Sequence, residues 1–293
     1  MLDINSVGFI GFGAMAQRMA VHLREKGIKT VKAYAPSQTS GERAGTPMAA
    51  SIAALVADVD AVIVSLPADE QVSAAMYGDD GALAHMRAGQ LLINTTSNSP
   101  QVSIDLYEAA KARGIAAVDA PVSGSTPEAE AAQLVVIAGG DAADFQRAQP
   151  VLAMIAKAVH HIGGPGYGSK MKLVINGIMG AGMIALTEAF TYGLKAGIEK
   201  DTLFDVLGGI AAVSPHHGRK LKSIRSGDFT SQFPSRLMSK DMRLLLDELN
   251  RLGVPAGTLA AAAQTLALGD LKRPNDDYSV IGVEFPKIVG ITL

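Results

Sequence analysis

Short apolar runs alternate with amphipathic stretches through the first half of the chain. Positions 6–11 are apolar and end in glycine, 14–26 carries apolar residues at helical spacing and stops at Gly27, and 30–34 is a second short run. The runs at 61–66 (AVIVSL), 90–94 (QLLIN), 115–119 and 134–138 (LVVIA) repeat the scheme, the first of them closed by Pro67. Apolar runs of strand length separated by helical stretches predict parallel βαβ units and a doubly wound sheet. The crossovers between parallel strands are expected to be right-handed.

The pattern changes after residue 163. The segment 163–168 (GGPGYG) predicts a turn or hinge. Positions 169–194 read as one long helix containing Gly177, Gly180 and Gly182. Interior glycines weaken a helix by roughly 1 kcal/mol each, so three together predict close helix–helix packing. Helical spacing resumes at 200–207, 238–252 and 256–268, with 213–219 read as a loop, and no strand-like alternation appears. The expected architecture is an α/β domain over 1–163, a long linking helix, and an all-α domain over 164–293.

Composition narrows this picture. A chain of 293 residues, 48% hydrophobic and 18% charged, has the make-up of folded globular domains. The formal net charge is −2, without blocks of like charge, which leaves no electrostatic footprint for nucleic acid or an anionic membrane. Cysteine is absent, which excludes disulfides, thiolate catalysis and Cys-ligated metals. The first twenty positions lack a basic stretch and read as strand and turn, so no signal peptide is expected. No run of about 18 apolar residues stands out, so no membrane span is expected either. A cytoplasmic location follows by default.

The chain opens Val7-Gly8-Phe9-Ile10-Gly11-Phe12-Gly13-Ala14-Met15-Ala16. This is G-x-G-x-x-A between a strand and a helix. Gly11 permits the sharp turn, Gly13 lets backbone approach a pyrophosphate, and Ala16 is small enough for helix–strand packing. The helix N-terminus then points its free N–H groups at the phosphates. Gly11, Phe12, Gly13, Ala14 and Met15 are accordingly assigned to a dinucleotide, and the α/β domain is read as a Rossmann-type doubly wound sheet. Where the second strand ends, a carboxylate would bind the ribose 2′-hydroxyl of NAD and an arginine the 2′-phosphate of NADP. Tyr34-Ala35-Pro36-Ser37 offers neither. The missing carboxylate removes a repulsion against phosphate and Ser37 is a potential donor. NAD(P)(H) is therefore the expected cofactor, tilted towards NADP(H), with Ala35 and Ser37 beside it.

Four segments, GFIGFGAMAQRMA (8–20), DAPVSGS (119–125), GYGSKMKLVIN (166–176) and Lys240-Asp241, occur in this order along nearly the whole chain. Together they resemble the β-hydroxyacid dehydrogenases, a family that includes 3-hydroxyisobutyrate dehydrogenase and tartronate semialdehyde reductase and is related to 6-phosphogluconate dehydrogenase. The resemblance implies hydride transfer to or from a small hydroxy acid. It implies that Ser123 and Gly124 hold the substrate carboxylate, with Ser125 standing where the family has glycine. It implies that Lys240 reaches towards substrate and nicotinamide, with Asp241 supporting either it or the Lys172 helix. Leu66 and Pro67 fit the loop under the adenine ribose. Thr96 falls near the nicotinamide ribose, in a run where Asn94 replaces the family's aspartate. The family also implies a homodimer or homotetramer.

The same resemblance matches Gly166, Gly168, Lys172 and Asn176 to a G-x-G-x-x-x-K-x-x-x-N signature and makes Lys172 the acid–base residue. Residues four apart share a helix face, so Lys172 and Asn176 belong to one site. The positive end of the helix dipole and partial desolvation both favour a neutral amine, the form that accepts a hydroxyl proton. Asn176 would orient the substrate hydroxyl or carboxylate. Lys170 lies off that face, and Arg236, one turn before Lys240, is either a reader of a second substrate anion or a surface charge.

His160-His161 and His216-His217 are adjacent pairs without carboxylates at ligand spacing, so no metal site is expected. Met19, Met179, Met183 and the Met15 side chain read as packing residues. Two other functions stay open: an imine reductase-like enzyme, which would usually carry Asp or Tyr at the Lys172 position, and a cofactor-binding sensor without catalysis.

Overall fold

The computed structural model describes residues 4–37, 41 and 45–293. The chain divides into two compact units, Met1–Lys172 and Leu173–Leu293, which part inside the long helix.

The first unit is built on an eight-stranded sheet in the order β2-β1-β3-β4-β5-β7-β6, with β8 added beside β7. Its strands are β1 (Ser6–Ile10), β2 (Thr30–Tyr34), β3 (Ala61–Val64), β4 (Leu91–Asn94), β5 (Ala116–Asp119), β6 (Val122–Ser123), β7 (Leu134–Gly139) and β8 (Ala156–Gly163). The helices are α1 (Ala14–Glu25), α2 (Ile52–Ala57), α3 (Asp69–Met76), α4 (Ala82–His85), α5 (Pro100–Lys111), α6 (Thr126–Glu130) and α7 (Ala142–Ile155). Strands β1 to β5 are parallel, as the apolar runs predict. Alternate side chains fill two separate cores: Phe9, Ile63, Leu91 and Val118 pack on one face, and Ile10, Val62, Leu92 and Ala117 on the other. Helices cover both faces, so the inner strands are buried on both sides and read as unbroken apolar runs.

Three features differ from the sequence expectation. β7 runs antiparallel to β5 and β6, because apolar periodicity carries no information on strand direction. β8 pairs parallel with β7 and was not expected as a strand. Among the described residues it pairs with β7 alone, at the sheet's margin, so AKAVHHIG stays half-polar. The stretch 213–219, expected as a loop, belongs mostly to a helix. Ser214 caps it by accepting the His217 N–H (3.2 Å), and Pro215 occupies its first position.

The second unit is helical. The long helix α8 (Tyr167–Lys195) leads into it, followed by α9 (Lys200–Gly209), α10 (Pro215–Ser226), α11 (Ser235–Arg251), α12 (Gly257–Lys272) and the short α13 (Ile281–Glu284). Its core gathers Met183, Phe190, Met238, Met242, Leu266 and Tyr278. The glycines of α8 are close-packing positions. A Cβ on Gly177 would press on Leu245, on Gly180 against Met242, and on Gly182 into the His217 ring. One expectation needs correction: α8 is long and apolar enough to cross a membrane by length and composition. The packing of its glycine positions against α10 and α11 gives it the role of a core helix instead.

Candidate active site

The turn after β1 has the geometry a pyrophosphate requires. Gly11 sits at φ +85°, and a Cβ there would collide with the Ser65 carbonyl oxygen and the Leu66 side chain; only glycine fits. Its N–H donates to the Tyr34 carbonyl (2.9 Å), which fixes the turn against β2. Gly13 is the N-cap of α1, with no side-chain cap and no acidic residue in the first turn. A Cβ on Gly13 would have nothing within 4 Å. Gly13 and Ala14 are exposed, Met15 is half-buried, and Phe12 and Ala16 are buried behind them. The free N–H groups of α1 thus face an open space that any side chain would fill, a fit for an anionic dinucleotide.

The neighbouring ends of β3 and β4 are tied to one another. Leu66 N–H donates to Thr96 Oγ1 (3.0 Å), and the Thr95 hydroxyl donates to the Val64 carbonyl (2.8 Å). Pro67 is exposed beside them. At the end of β2, Ala35 is buried and Ser37 exposed. Thr96 N–H donates to Asn94 Oδ1 (3.1 Å), and Asn94 Nδ2 donates to Asn98 Oδ1 (3.2 Å). The second bond needs the amide; an aspartate could not donate it.

The loop at the end of β6 presents Ser123, half-buried, and Gly124, exposed. The departure at Ser125 has a local reason. Ser125 is the buried N-cap of α6, and its N–H donates to Glu128 Oε2 (2.7 Å).

Asp119, the first residue of the D-x-P-V-S-G run, is 5% exposed and accepts N–H bonds from Gly166 and Ser169, 2.8 Å each. These are the N-cap and third positions of α8, so the carboxylate caps the helix from another strand. Gly166 is held at φ +80° against Ile104. Gly168 must lack a side chain, since a Cβ would meet the Ile137 and Asp119 carbonyl oxygens and Asp119 Oδ2. Burial pushes the Asp119 carboxyl up to about 6, although the Ser169 and Gly166 donors pull it down. At neutral pH it is mainly ionised and offsets the positive end of the helix dipole, which the sequence alone left unopposed. Sequence reasoning quoted Asp119 in a motif and gave it no role; its partners lie 47 and 50 positions away.

Lys172 lies in the second turn of α8 and is 8% exposed. Lys170 takes another direction, its ammonium 4.3 Å from the centroid of the exposed Tyr167 ring. Asn176, fully buried one turn beyond Lys172, points its amide nitrogen at Asp241 Oδ2. Asp241 is 1% exposed, and its Oδ1 lies 2.9 Å from Lys240 Nζ. The second unit therefore brings Asn176, Lys240 and Asp241 together. Among the described residues Asn176 Oδ1 is buried without a hydrogen-bond donor, a state that costs about 1–3 kcal/mol and recurs at functional sites. Arg236 is exposed, its Nε donating to Asn275 Oδ1 (3.2 Å).

Three of the four paired histidines have structural contacts. His161 stacks on Phe145 (4.5 Å between centroids), with Nε2 2.8 Å from the Gly140 carbonyl. His217 lies 2.8 Å from the Ser214 hydroxyl and 3.0 Å from the Met179 carbonyl. His216 pairs with the Tyr278 hydroxyl.

Comparison with known proteins agrees with this geometry. Residues 6–163 match the NAD-binding domain of 6-phosphogluconate dehydrogenase, and 166–283 match the NAD-binding domain of NADP-dependent 3-hydroxyisobutyrate dehydrogenase. The 2-(hydroxymethyl)glutarate dehydrogenase of Eubacterium barkeri is 32% identical, over 98% of this chain and 97% of its own. Glyoxylate/succinic semialdehyde reductase 1 of Arabidopsis thaliana is 31% identical over 94% and 96%. The structure of Mycobacterium tuberculosis 3-hydroxyisobutyrate dehydrogenase with L-serine superposes with a TM-score of 0.86 at 28% identity, covering 99% of this chain and all of that one. With the phosphate turn, the capped α8 and the buried lysine in place, and both parts of its length matched, the chain belongs to the β-hydroxyacid dehydrogenase family of NAD(P)-dependent oxidoreductases.

Proposed function

We propose that this enzyme interconverts a small β-hydroxy acid and its semialdehyde or keto acid, with Lys172 as general acid–base. One observation carries the reading: Lys172 is buried in the second turn of a helix capped by a buried carboxylate, one turn from an asparagine with an unsatisfied oxygen. Lysines are rarely buried without employment, and a surface role would bury neither partner.

The residues divide the work. Gly11, Phe12, Gly13, Ala14 and Met15 hold the pyrophosphate, with Leu66, Pro67, Thr96, Ala35 and Ser37 along the riboses and Lys240 near the nicotinamide. When bound, the nicotinamide supplies or accepts the hydride, which no side chain can do. Ser123 and Gly124 hold the substrate carboxylate, and Ser125 shapes that loop as the α6 cap. Lys172 gives a proton to the carbonyl oxygen in reduction and takes it back in oxidation. Asn176 orients the substrate hydroxyl or carboxylate, and Asp241 holds both Asn176 and Lys240. The absence of a carboxylate at Tyr34–Ser37 supports NADP(H) over NAD(H).

On this reading residues 1–163 serve the cofactor and 164–293 serve substrate and self-association. Ile178, Tyr192 and Leu271, 68%, 73% and 85% exposed on α8 and α12, support a homodimer or homotetramer. The net charge of −2 fits a cytoplasmic enzyme without nucleic-acid or membrane partners.

The test is consumption of NADPH and NADH with semialdehydes and glyoxylate, beside direct titration of both cofactors. Turnover of at least one acid-bearing carbonyl, faster with NADPH, is expected. Tight cofactor binding with no turnover across the panel would assign a sensor instead.

A further inference from the structure

A buried polar chain runs from the cofactor loop to the cap of α8. Thr96 N–H donates to Asn94, Asn94 to Asn98, and Asn98 Nδ2 to Ser103 Oγ (3.2 Å). The Ser103 and Ser169 hydroxyls are 2.8 Å apart, and the Ser169 N–H donates in turn to the Asp119 carboxylate. Every member is under a tenth exposed. An ionised carboxylate only accepts, so Asp119 takes the Gly166 and Ser169 N–H bonds. Ser103 Oγ accepts from Asn98 and shares a hydrogen bond with the Ser169 hydroxyl.

We propose that Asp119 is a positioning residue for the reaction, holding the first turn of α8 through Gly166 and Ser169 and registering it, along Ser103, Asn98 and Asn94, with the loop at Thr96. The proposal rests on Lys172 being the acid–base group. Lys172 stands three residues past Ser169, about 4.5 Å further along the axis, so the cap sets where the lysine begins. A buried hydrogen-bonded network rigidifies the segments it joins. Here it ties the loop proposed to hold the nicotinamide ribose to the helix that carries the amine. The groups facing the carboxylate are the Gly166 and Ser169 amides, the Ser169 hydroxyl and Gly139 on β7. Gly139 fits only without a side chain, since a Cβ would lie 2.5 Å from Asp119 Oδ1.

Asp119→Asn turns an amide donor towards two N–H donors. Ser169→Ala removes one link and leaves the cap N–H bond intact. The test measures kcat, KM, cofactor Kd and the primary deuterium isotope effect on kcat, with cofactor deuterated at C4. Displacement of a reacting group by about 1 Å costs about 100-fold in rate. Both variants are therefore expected to lose tenfold or more in kcat, with cofactor Kd within about threefold and a larger isotope effect. A kcat within about twofold of the parent in Ser169→Ala overturns the proposal, whether or not Asp119→Asn folds. Lys172→Ala, measured alongside, separates the two ideas. If it is inactive while the Ser169 and Asp119 variants turn over normally, only the positioning role fails; if it is fully active, the acid–base reading fails with it.

Discussion

Gly13 gives the sharpest separation of function from stability. Its φ of −79° and ψ of −169° are open to any residue, and a Cβ there meets nothing within 4 Å. Folding therefore places no demand for glycine at this position. Asp is a favourable N-cap, and its charge complements the α1 dipole. Gly13→Asp should leave stability unchanged or raise it by up to about 1 kcal/mol. For a dinucleotide the same change is damaging. The carboxylate takes the N–H groups meant for the pyrophosphate and sets two like charges about 4 Å apart, worth about 4 kcal/mol at an effective dielectric constant near 20. That corresponds to a loss of about 1,000-fold in affinity. Urea unfolding gives the stability, and titration with NADPH, followed by its fluorescence, gives the Kd. An unaltered Kd would show that the turn does not hold the phosphates. Destabilisation above about 2 kcal/mol would show that the space in front of Gly13 is not free.

Two further outcomes follow from packing and titration. Gly168→Ala forces a Cβ within 2.9 Å of Asp119 Oδ2 and closer still to two carbonyl oxygens, so it should lower unfolding free energy by about 1–3 kcal/mol; an unshifted urea midpoint would contradict the close approach. Burial, with help from Lys220, pushes His216 down to about 4 from 6.5. The unfolded chain therefore takes up a proton between these values that the folded chain refuses, so stability is present above pH 6.5 and lost as pH falls towards 4. Discounted for partial exposure, this amounts to about 2 kcal/mol. It should be missing from the difference between unfolding at pH 7 and pH 4.5 in His216→Asn; identical pH slopes in the two proteins would refute the assignment.

The features legible in the sequence were those that one stretch of chain decides for itself. The Gly11–Ala16 turn is an example, because its glycines report local backbone geometry and free space. The strands β1, β3, β4 and β5 are others, because burial on both faces leaves an unbroken apolar signature. The missed features depend on distant partners or on polar stretches. Among the described residues β8 pairs with β7 alone, and its exposed Lys157, His160 and His161 interrupt any apolar run. α10 is rich in basic residues, which hides its apolar face, although Ser214 and Pro215 mark its start. The role of Asp119 appears only when β5 and the head of α8 lie side by side. Resemblance and spacing point to Lys172 and Asn176, whereas the bond from Asn176 to Asp241 spans 65 positions.

Chemical rescue of Lys172→Ala bears most directly on the acid–base role. A positioned acid or base contributes roughly 10²–10⁴-fold, so reduction of the best carbonyl substrate should fall by that factor with NADPH still bound. Added methylammonium should then restore turnover in proportion to its protonated concentration. A variant that turns over within about threefold of the parent without any added amine would remove Lys172 from the chemistry.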